Sequence, residues 1–243
     1  MNPQAYIEMS QTEDVHWWFV ARREILTDCL LQLNLPTQAN VLEVGCGTGG
    51  NLNMLEQFGL VHGIEMDPQA LNLANQKSSH RHLLTQGKCP DDLDFGDKTF
   101  DLICLFDVLE HIEHDTQTLA FLKKRLSPNG KIIITVPAHP WMFGPHDQHL
   151  HHHRRYTKSQ LGQVLAQAGL APVRLSYFNC LLFPLAALTR IFEKIFHNKQ
   201  ATGTNIPAQP LNAFFKTIFA SERALLRHSN LPFGVSFLCI AKA

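Results

Sequence analysis

The stretch Val41–Leu52, "VLEVGCGTGGNL", decides the fold. Its start, apolar except for Glu43, reads as a short buried strand. Gly45, Gly47, Gly49 and Gly50 follow among small residues. Glycine lacks a Cβ, so the chain can turn tightly here and a ligand can touch the main chain. The helix that follows opens with free N–H groups at its first turn. A tight strand-to-helix turn that holds nothing is the weaker alternative for such a cluster.

Working outward, "LVHGIEM" reads as a second strand and "DPQALNLANQK" as a helix with Pro68 at its tolerant first position. "FDLICLFDVLEHI" begins as a strand from Asp101 to Phe106. "DTQTLAFLKKRLSPNG" is a helix ended by a Pro-Asn-Gly turn, and "KIIITVP" is a strand. A polar, His-rich loop covers 138–156. "TKSQLGQVLAQAGL" is then a helix with Thr157 as N-cap, "APVRLSYFN" a strand, and "FGVSFLCIAKA" a closing strand. "GNLNMLEQFG" reads as a helix closed by Gly59. Ahead of the glycine turn, residues 15–33 space Trp18, Ile25, Leu26, Cys29, Leu30 and Leu33 as a helix.

Strands alternating with helices mean a doubly wound α/β fold whose parallel sheet carries helices on both faces. Ligands of such sheets bind at the carboxyl ends of the strands, where the strand order reverses. The glycine turn stands at that place. Residues 1–36 are expected to form an N-terminal helical cap and 37–243 the main domain. Residues 198–210, "NKQATGTNIPAQP", read as a flexible loop.

Composition narrows the possibilities. The 243 residues carry a formal net charge of zero, so no general attraction to nucleic acid is expected. The cysteines at 29, 46, 89, 104, 180 and 239 include no Cys-x-x-Cys pair, which argues against a disulfide framework or a cysteine zinc site. A reducing cytoplasm is the simplest location. The first residues lack a basic start followed by an apolar run, so no signal peptide is expected. The longest uncharged apolar stretch, 175–189, is too short and too polar for a membrane span.

The glycines admit two cofactors. Gly45, Gly47 and Gly50 satisfy G-x-G-x-x-G, and Glu65 stands near the distance of a ribose-binding acid, so a nicotinamide dinucleotide must be weighed. Glu43 argues against it. A carboxylate at the strand end repels a pyrophosphate and suits a ligand with positive charge. S-adenosylmethionine has a sulfonium, an ammonium and no phosphate. Glu65, at the end of the second strand, can accept hydrogen bonds from both ribose hydroxyls.

At this point the chain closely resembles the class I S-adenosylmethionine-dependent methyltransferases. "VLEVGCGTG", "GIEMDPQAL", "FDLICLFDVLEHI", "LKKRLSPNGKIIITVP" and the closing "FGVSFLCIAKA" carry the resemblance, in that family's order and spacing. It implies a Rossmann-like seven-stranded sheet whose last strand is antiparallel, with a helical insert of about 180–230 before it. It also implies that Gly45, Gly47 and Gly49 line the methionine part and Glu65 holds the ribose. The expected cofactor set is Glu43, Gly45, Gly47, Gly49, Glu65, Met66, Cys89 and Asp107. One departure stands out. Many members carry Gly-Asp before an "LPF"-like stretch, and that acid contacts adenine. Here the run is "QGKCPDDL", with Lys88 near that place and Cys89 or Asp91 as substitutes.

Methyl transfer from a sulfonium is an in-line displacement that requires an aligned nucleophile and, for a hydroxyl, removal of its proton. "FDVLEHI" offers Asp107, Glu110 and His111 at the right edge of the sheet, and His111 is the candidate base. The plain alternative is that Asp107 caps a helix and His111 packs. "DVLEH" also resembles the acid-x-x-Glu-His run of ubiquinone-pathway O-methyltransferases, associated there with a divalent metal. Its first residue here is Asp, and the expected site contains no metal. Trp18 and Arg22 of "HWWFVARRE" and His146, His149, Arg155 and Tyr156 of the His-rich loop are the candidate acceptor contacts.

Between the sixth and seventh strands, "PLAALTRIFEKIF" and "LNAFFKTIFASERALLRHS" each present an apolar helical stripe. They can roof a hydrophobic acceptor, rest on a membrane surface or form a homodimer contact. The leading expectation is O-methylation of a small or lipid-linked acceptor by a cytoplasmic monomer or homodimer, with S-adenosylmethionine as cofactor and a peripheral membrane contact as an option. The rivals are an NAD-dependent oxidoreductase and a non-catalytic cofactor-binding module. Nucleic acid is not an expected partner, since "DVLEH" is not the Asn/Asp-Pro-Pro-aromatic run used for base amino groups.

Overall fold

The computed structural model describes residues 3–93, 95–196 and 206–243. Seven strands form one sheet: β1 (Ala39–Val44), β2 (Gly59–Glu65), β3 (His82–Gln86), β4 (Phe100–Phe106), β5 (Leu126–Pro137), β6 (Ala171–Phe178) and β7 (Ser236–Lys242). Their spatial order is β3-β2-β1-β4-β5-β7-β6. Pairing is parallel from β3 through β5, and β7 runs antiparallel to both β5 and β6. The order reverses between β1 and β4, whose residues Val41 and Glu43 pair with Leu102 and Cys104.

The central strands are apolar on both faces because both faces are covered. Successive side chains of a strand point to opposite sides. Accordingly, Val41, Leu102, Cys104 and Ile133 pack in one core, whereas Leu42, Ile103, Leu105 and Ile132 pack in the other. The first core lies under α2 (Trp17–Leu31), through Ala21, Ile25, Leu26 and Cys29. The second lies under α5 (Asp115–Lys123) and α7 (Lys158–Gln167), through Leu119, Leu122, Leu161 and Leu165.

The glycine turn leads into α3 (Leu52–Leu55), shorter than the sequence suggested. Asp67 caps α4 (Pro68–Lys77), accepting from the amides of Gln69 and Ala70 at 2.8 and 3.1 Å. Thr157 caps α7 as expected. The Pro-Asn-Gly segment lies inside β5, where pairing jumps from Phe100–Leu126 to Leu102–Lys131. The His-rich loop is partly ordered into a short 3₁₀ turn, Pro140–Met142, and α6 (Pro145–His149). The chain also forms α1 (Pro3–Thr12), inside the segment 1–36 expected as a helical cap, although only residues 15–33 carried helical spacing in the sequence.

The two helices between β6 and β7, α8 (Phe183–Phe196) and α9 (Gln209–Leu226), differ in environment. α9 packs along α2: Phe215 and Phe219 meet the Trp17 ring at centroid distances of 5.6 and 6.0 Å. Asn212 joins the two, accepting from Trp17 N at 2.9 Å and donating to the Val15 carbonyl at 2.8 Å. Of the two helices expected to roof the acceptor, α9 thus spends Phe215, Ile218, Phe219 and Leu226 on the core, with Phe214 and Leu225 left exposed. α8 instead leaves Leu185, Leu188, Ile191, Phe192 and Ile195 exposed, each by 44–62%. Of the segment 198–210 read as a flexible loop, residues up to 205 lie outside those described. Among the described residues, no helix is long and apolar enough to cross a membrane.

Candidate active site

The glycine turn sits at the carboxyl end of β1. Gly45, Gly47 and Gly49 have φ of +68°, +55° and +86°, the left-handed region that side chains with a Cβ resist. Space adds to this. A Cβ on Gly45 would lie 2.7 Å from Val108 Cγ2, and one on Gly49 would lie 3.1 Å from Ala74 Cα.

Glu65 ends β2 beside this turn. Its Oε2 accepts from the Gly47 amide and its Oε1 from the Asp67 amide, both at 2.9 Å. Burial pushes its carboxyl above the usual range, and the two amides oppose that shift. The carboxylate is held rigid with lone pairs to spare. Glu43, one strand over, is fully buried. Asn51 Nδ2 donates to its Oε1 at 2.8 Å, while Oε2 has no partner. Burial pushes its carboxyl up to about 8, with the Asn51 bond acting against the shift. An orphaned carboxylate under the turn has the chemistry to receive a cationic ligand group.

Next to Glu65, a cavity of about 410 Å³ is lined by Met66, Gln86, Gly87, Lys88 and Asp92. Lys88 pairs with Asp91 at 3.0 Å. Cys89 is buried, and burial pushes its thiol up to about 12, so it is inert as an acid or nucleophile here. α1 covers the turn from above. Met9 Cε lies 3.6 Å from where a Gly47 Cβ would be, and Glu13 accepts from Thr48 Oγ1 at 2.8 Å while pairing with Lys77. Sequence reasoning missed these α1 contacts, because nothing in "AYIEMSQTE" marks a partner.

The second half of the site follows β4. Asp107 has φ of +56°, and its amide bonds the Thr135 carbonyl at 3.0 Å. Its carboxylate pairs with Arg22 of α2, whose guanidinium lies 4.6 Å from the Trp18 ring centroid. The structure thus brings Asp107, Arg22 and Trp18 together. His111 closes a 3₁₀ turn, Leu109–His111, and its ring meets the His152 ring edge-on at 4.6 Å. Burial, reinforced by His152, pushes His111 down to about 3, so it is a neutral imidazole at neutral pH. Glu110, fully buried beside it, has no hydrogen-bond partner on either oxygen. Burial raises its carboxyl well above the usual range, and Asp107 adds to that.

The His-rich loop divides. His146 and His149 lie on α6, with His149 exposed and His146 half-buried. Arg155 and Tyr156, expected at the acceptor, are buried struts instead. Arg155 bonds Asp147 at 2.8 Å and the Ala138 carbonyl at 3.3 Å, and the Tyr156 hydroxyl bonds Asp115 at 2.8 Å. Their polar atoms serve the loop, not its surface. His152 gained no special place within the histidine tract in the sequence reading, since its burial and its contact with Asp147 set it apart.

Comparison with known proteins gives the family and the fold. Residues 19–175 match a family model described as "Methyltransferase domain". A demethylmenaquinone methyltransferase of Tropheryma whipplei is 28% identical over 145 residues, covering 58% of this chain and 57% of that protein. The mitochondrial ubiquinone biosynthesis O-methyltransferase of Dictyostelium discoideum is 26% identical over 119 residues, covering 43% of this chain and 37% of that protein. The matches therefore span little more than half of these relatives at most. Among solved structures, a chain from the complex of the Haloferax volcanii Trm112 methyltransferase activator with a methyltransferase superposes with a TM-score of 0.63, at 18% identity, over 99% of this chain and 93% of that one. Phosphoethanolamine N-methyltransferase 2 of Haemonchus contortus, in complex with S-adenosyl-L-methionine, gives 0.57 at 18% identity over 88% of this chain and 50% of that one. At these identities the structures establish the fold.

Proposed function

The chain belongs to this methyltransferase-domain family, and from that premise we propose that it transfers a methyl group from S-adenosylmethionine to an oxygen of a small or lipid-linked acceptor. The observation that carries the reading is Glu65 held by the Gly47 and Asp67 amides at the lip of the glycine turn. That carboxylate accepts from the ribose hydroxyls, the bare backbone of Gly45 to Gly49 admits the methionine part, and the Met66–Lys88 cavity takes adenine. The orphaned oxygen of Glu43 favours the positive ammonium and sulfonium over a pyrophosphate, which is the argument against a nicotinamide dinucleotide.

On the acceptor side stand Asp107, His111, Arg22 and Trp18, with His146 and His149 on the loop above. The acceptor oxygen attacks the methyl carbon in line with the sulfur. The C–S bond breaks with its electron pair on sulfur, releasing S-adenosylhomocysteine, and the acceptor hydroxyl gives up its proton to solvent water. His111, neutral and half-buried, fits a role in orienting that hydroxyl through its lone pair.

The exposed stripe of α8 supports an acceptor with an apolar tail, presented at a membrane surface. Leu185, Leu188, Ile191, Phe192 and Ile195 form one apolar side, while Arg190 and Lys194 lie on the same helix. An amphipathic helix of this kind rests in a lipid interface. Two of the relatives are named for demethylmenaquinone and for ubiquinone biosynthesis, which fits a ring acceptor of quinone type. The test is an acceptor screen. Purified protein, S-adenosylmethionine and hydroxylated rings with and without alkyl tails are combined, and S-adenosylhomocysteine is measured. Release with tailed acceptors is expected. Calorimetry that detects NAD and no S-adenosylmethionine would overturn the reading.

A further inference from the structure

We propose that α1 is a latched strap across the cofactor site, in which Tyr6 and Met9 contact the bound cofactor and Glu13 holds the helix shut. The identity of that cofactor as S-adenosylmethionine rests on the methyltransferase reading. Tyr6 and Met9 lie on α1, and Glu13 follows its last residue with its amide still bonded to the Met9 carbonyl at 2.8 Å. The three are at helical spacing and so share one face. That face lies on the glycine turn and the end of β2.

The apolar members of this face cover the site without joining a core. Tyr6 is 7% exposed, yet neither it nor Met9 belongs to the two cores that flank the sheet. Met9 Cε fills the space over Gly47, 3.6 Å from where a Cβ there would lie. Burial, then the Glu65 and Asp67 carboxylates, holds the Tyr6 hydroxyl above its usual range, which sets that ring beside the proposed ribose acceptor. A tyrosine gives such a ligand an apolar ring face with a polar tip, and an unbranched methionine adapts to its shape.

Glu13 makes the latch. Its Oε1 accepts from Thr48 Oγ1 at 2.8 Å and pairs with Lys77 of α4. Lys77 Nζ also donates to the Ser10 carbonyl at 3.3 Å, and Arg23 Nη2 to the Glu13 carbonyl at 2.6 Å. Gly50 supplies an independent observation. Unlike Gly45, Gly47 and Gly49 it has no positive φ, so its backbone does not call for glycine. A Cβ there would instead collide with the Glu13 carboxylate. The fourth glycine of the turn is thus the seat of the latch. These anchors are polar and the cores lie elsewhere, so α1 lifts without unpacking the sheet. The cofactor enters and leaves when it does.

The test uses the full-length protein. Calorimetry gives the affinity for S-adenosylmethionine, and a chase of tritiated S-adenosylhomocysteine with unlabelled ligand gives its release rate. Tyr6→Ala and Met9→Ala should each weaken affinity about 10-fold, through lost burial. Glu13→Ala, Lys77→Met and Gly50→Ala should each speed release at least about 10-fold. Entry quickens as well, so affinity should fall less than release rises. Glu13→Ala combined with Lys77→Met should release no faster than the quicker single variant, because the two residues act on each other. Melting temperatures should drop by no more than about 4 °C, since the cores are untouched. A variant that does not melt cooperatively is replaced by Glu13→Gln, which keeps the Thr48 bond and loses the charge facing Lys77.

Deuterium exchange supplies a readout that needs no turnover. Amides of residues 6–13 should exchange faster in Glu13→Ala, and more slowly in wild type once S-adenosylhomocysteine is added, with sheet amides unchanged. Release unchanged in all three latch variants, or exchange in residues 6–13 that ignores both substitution and ligand, overturns the strap. Affinity unaffected by Tyr6→Ala and Met9→Ala overturns their contact with the cofactor. A wild-type protein that binds no S-adenosylmethionine overturns the methyltransferase reading itself. The ligand-free exchange of Glu13→Ala then still reports on the latch, so the two failures are distinct results.

Discussion

Arg22 of α2 forms an ion pair with Asp107, the residue that leaves β4, and so ties the N-terminal helices to the point where the strand order reverses. The Arg22 side chain is 7% exposed and that of Asp107 21%. Removing one partner strands the other charge in a poorly solvated place. Asp107→Asn should therefore destabilise the fold by about 3 kcal/mol, and Arg22→Met by less, because Asp107 keeps some access to water. The double variant should recover at least about 1 kcal/mol relative to the sum. Urea unfolding of the four proteins gives the coupling, and strict additivity would remove the pair from the account.

Glu65 and the glycine turn should govern cofactor affinity. Glu65→Ala removes charge-assisted hydrogen bonds of about 1.5–3 kcal/mol. That corresponds to S-adenosylmethionine binding weaker by about 10- to 100-fold. Gly45→Ala should act more severely, since its Cβ meets Val108 at 2.7 Å and its φ is +68°. Gly47→Val should abolish binding by filling the ligand's space. Titration calorimetry checks all three, and unchanged affinity in Glu65→Ala would take the ribose away from this residue.

The parts of the molecule legible in the sequence are those where local chemistry and fold agree. The buried strands β1, β2, β4 and β5 announce themselves by apolar runs, and Asp67-Pro68 and Thr157 mark helix starts by capping chemistry. β3 was not read, because as an edge strand it buries little beyond His82 and leaves Leu83 exposed. The contacts of α1 and Glu13 to the glycine turn were not legible within the expected helical cap, because they are tertiary. The histidine tract shows the same limit. Composition flags the whole stretch, yet only burial separates His152, seated on Asp147, from the exposed His149, His151 and His153. Arg155 and Tyr156 look like acceptor ligands by type and are loop struts by position.

Glu43 should give the unliganded protein a distinctive pH response. Its folded carboxyl titrates near 8, above the unfolded value of 4.5, so the folded state holds the proton more tightly. Its contribution to stability is thus fully present below about pH 4.5 and is lost as pH rises toward 8, by at most about 1.4 kcal/mol per pH unit. Glu43→Gln should flatten that slope in urea titrations between pH 5 and 8. A cationic ligand favours the ionised form, so S-adenosylmethionine binding at pH 7 should release up to one proton. Calorimetry in buffers of different ionisation enthalpy measures that release, and an identical value in Glu43→Gln would show that the proton comes from elsewhere.

The contrast between α8 and α9 yields the last expectation. Phe219 of α9 is fully buried against Trp17 and Phe178, with ring centroids at 6.0 and 5.8 Å. Truncating such a side chain leaves a cavity as well as losing its burial, so Phe219→Ala should cost about 3–5 kcal/mol. Ile195 of α8 is 62% exposed. Ile195→Ser combined with Leu188→Ser should change stability by no more than about 0.5 kcal/mol per site, as surface substitutions do. Their effect should appear at an interface instead. Each large apolar side chain moved from water into lipid contributes about 1.5–3 kcal/mol, so losing two weakens vesicle association by well over tenfold. Flotation with vesicles containing anionic lipid, alongside light scattering without them, separates the outcomes. Wild-type protein should float and the double variant should not, while both melt at similar temperatures. A wild-type chain that stays with the soluble fraction would make the α8 stripe something other than a membrane contact, and a dimer that the double variant dissolves would identify a second copy of the chain as its cover.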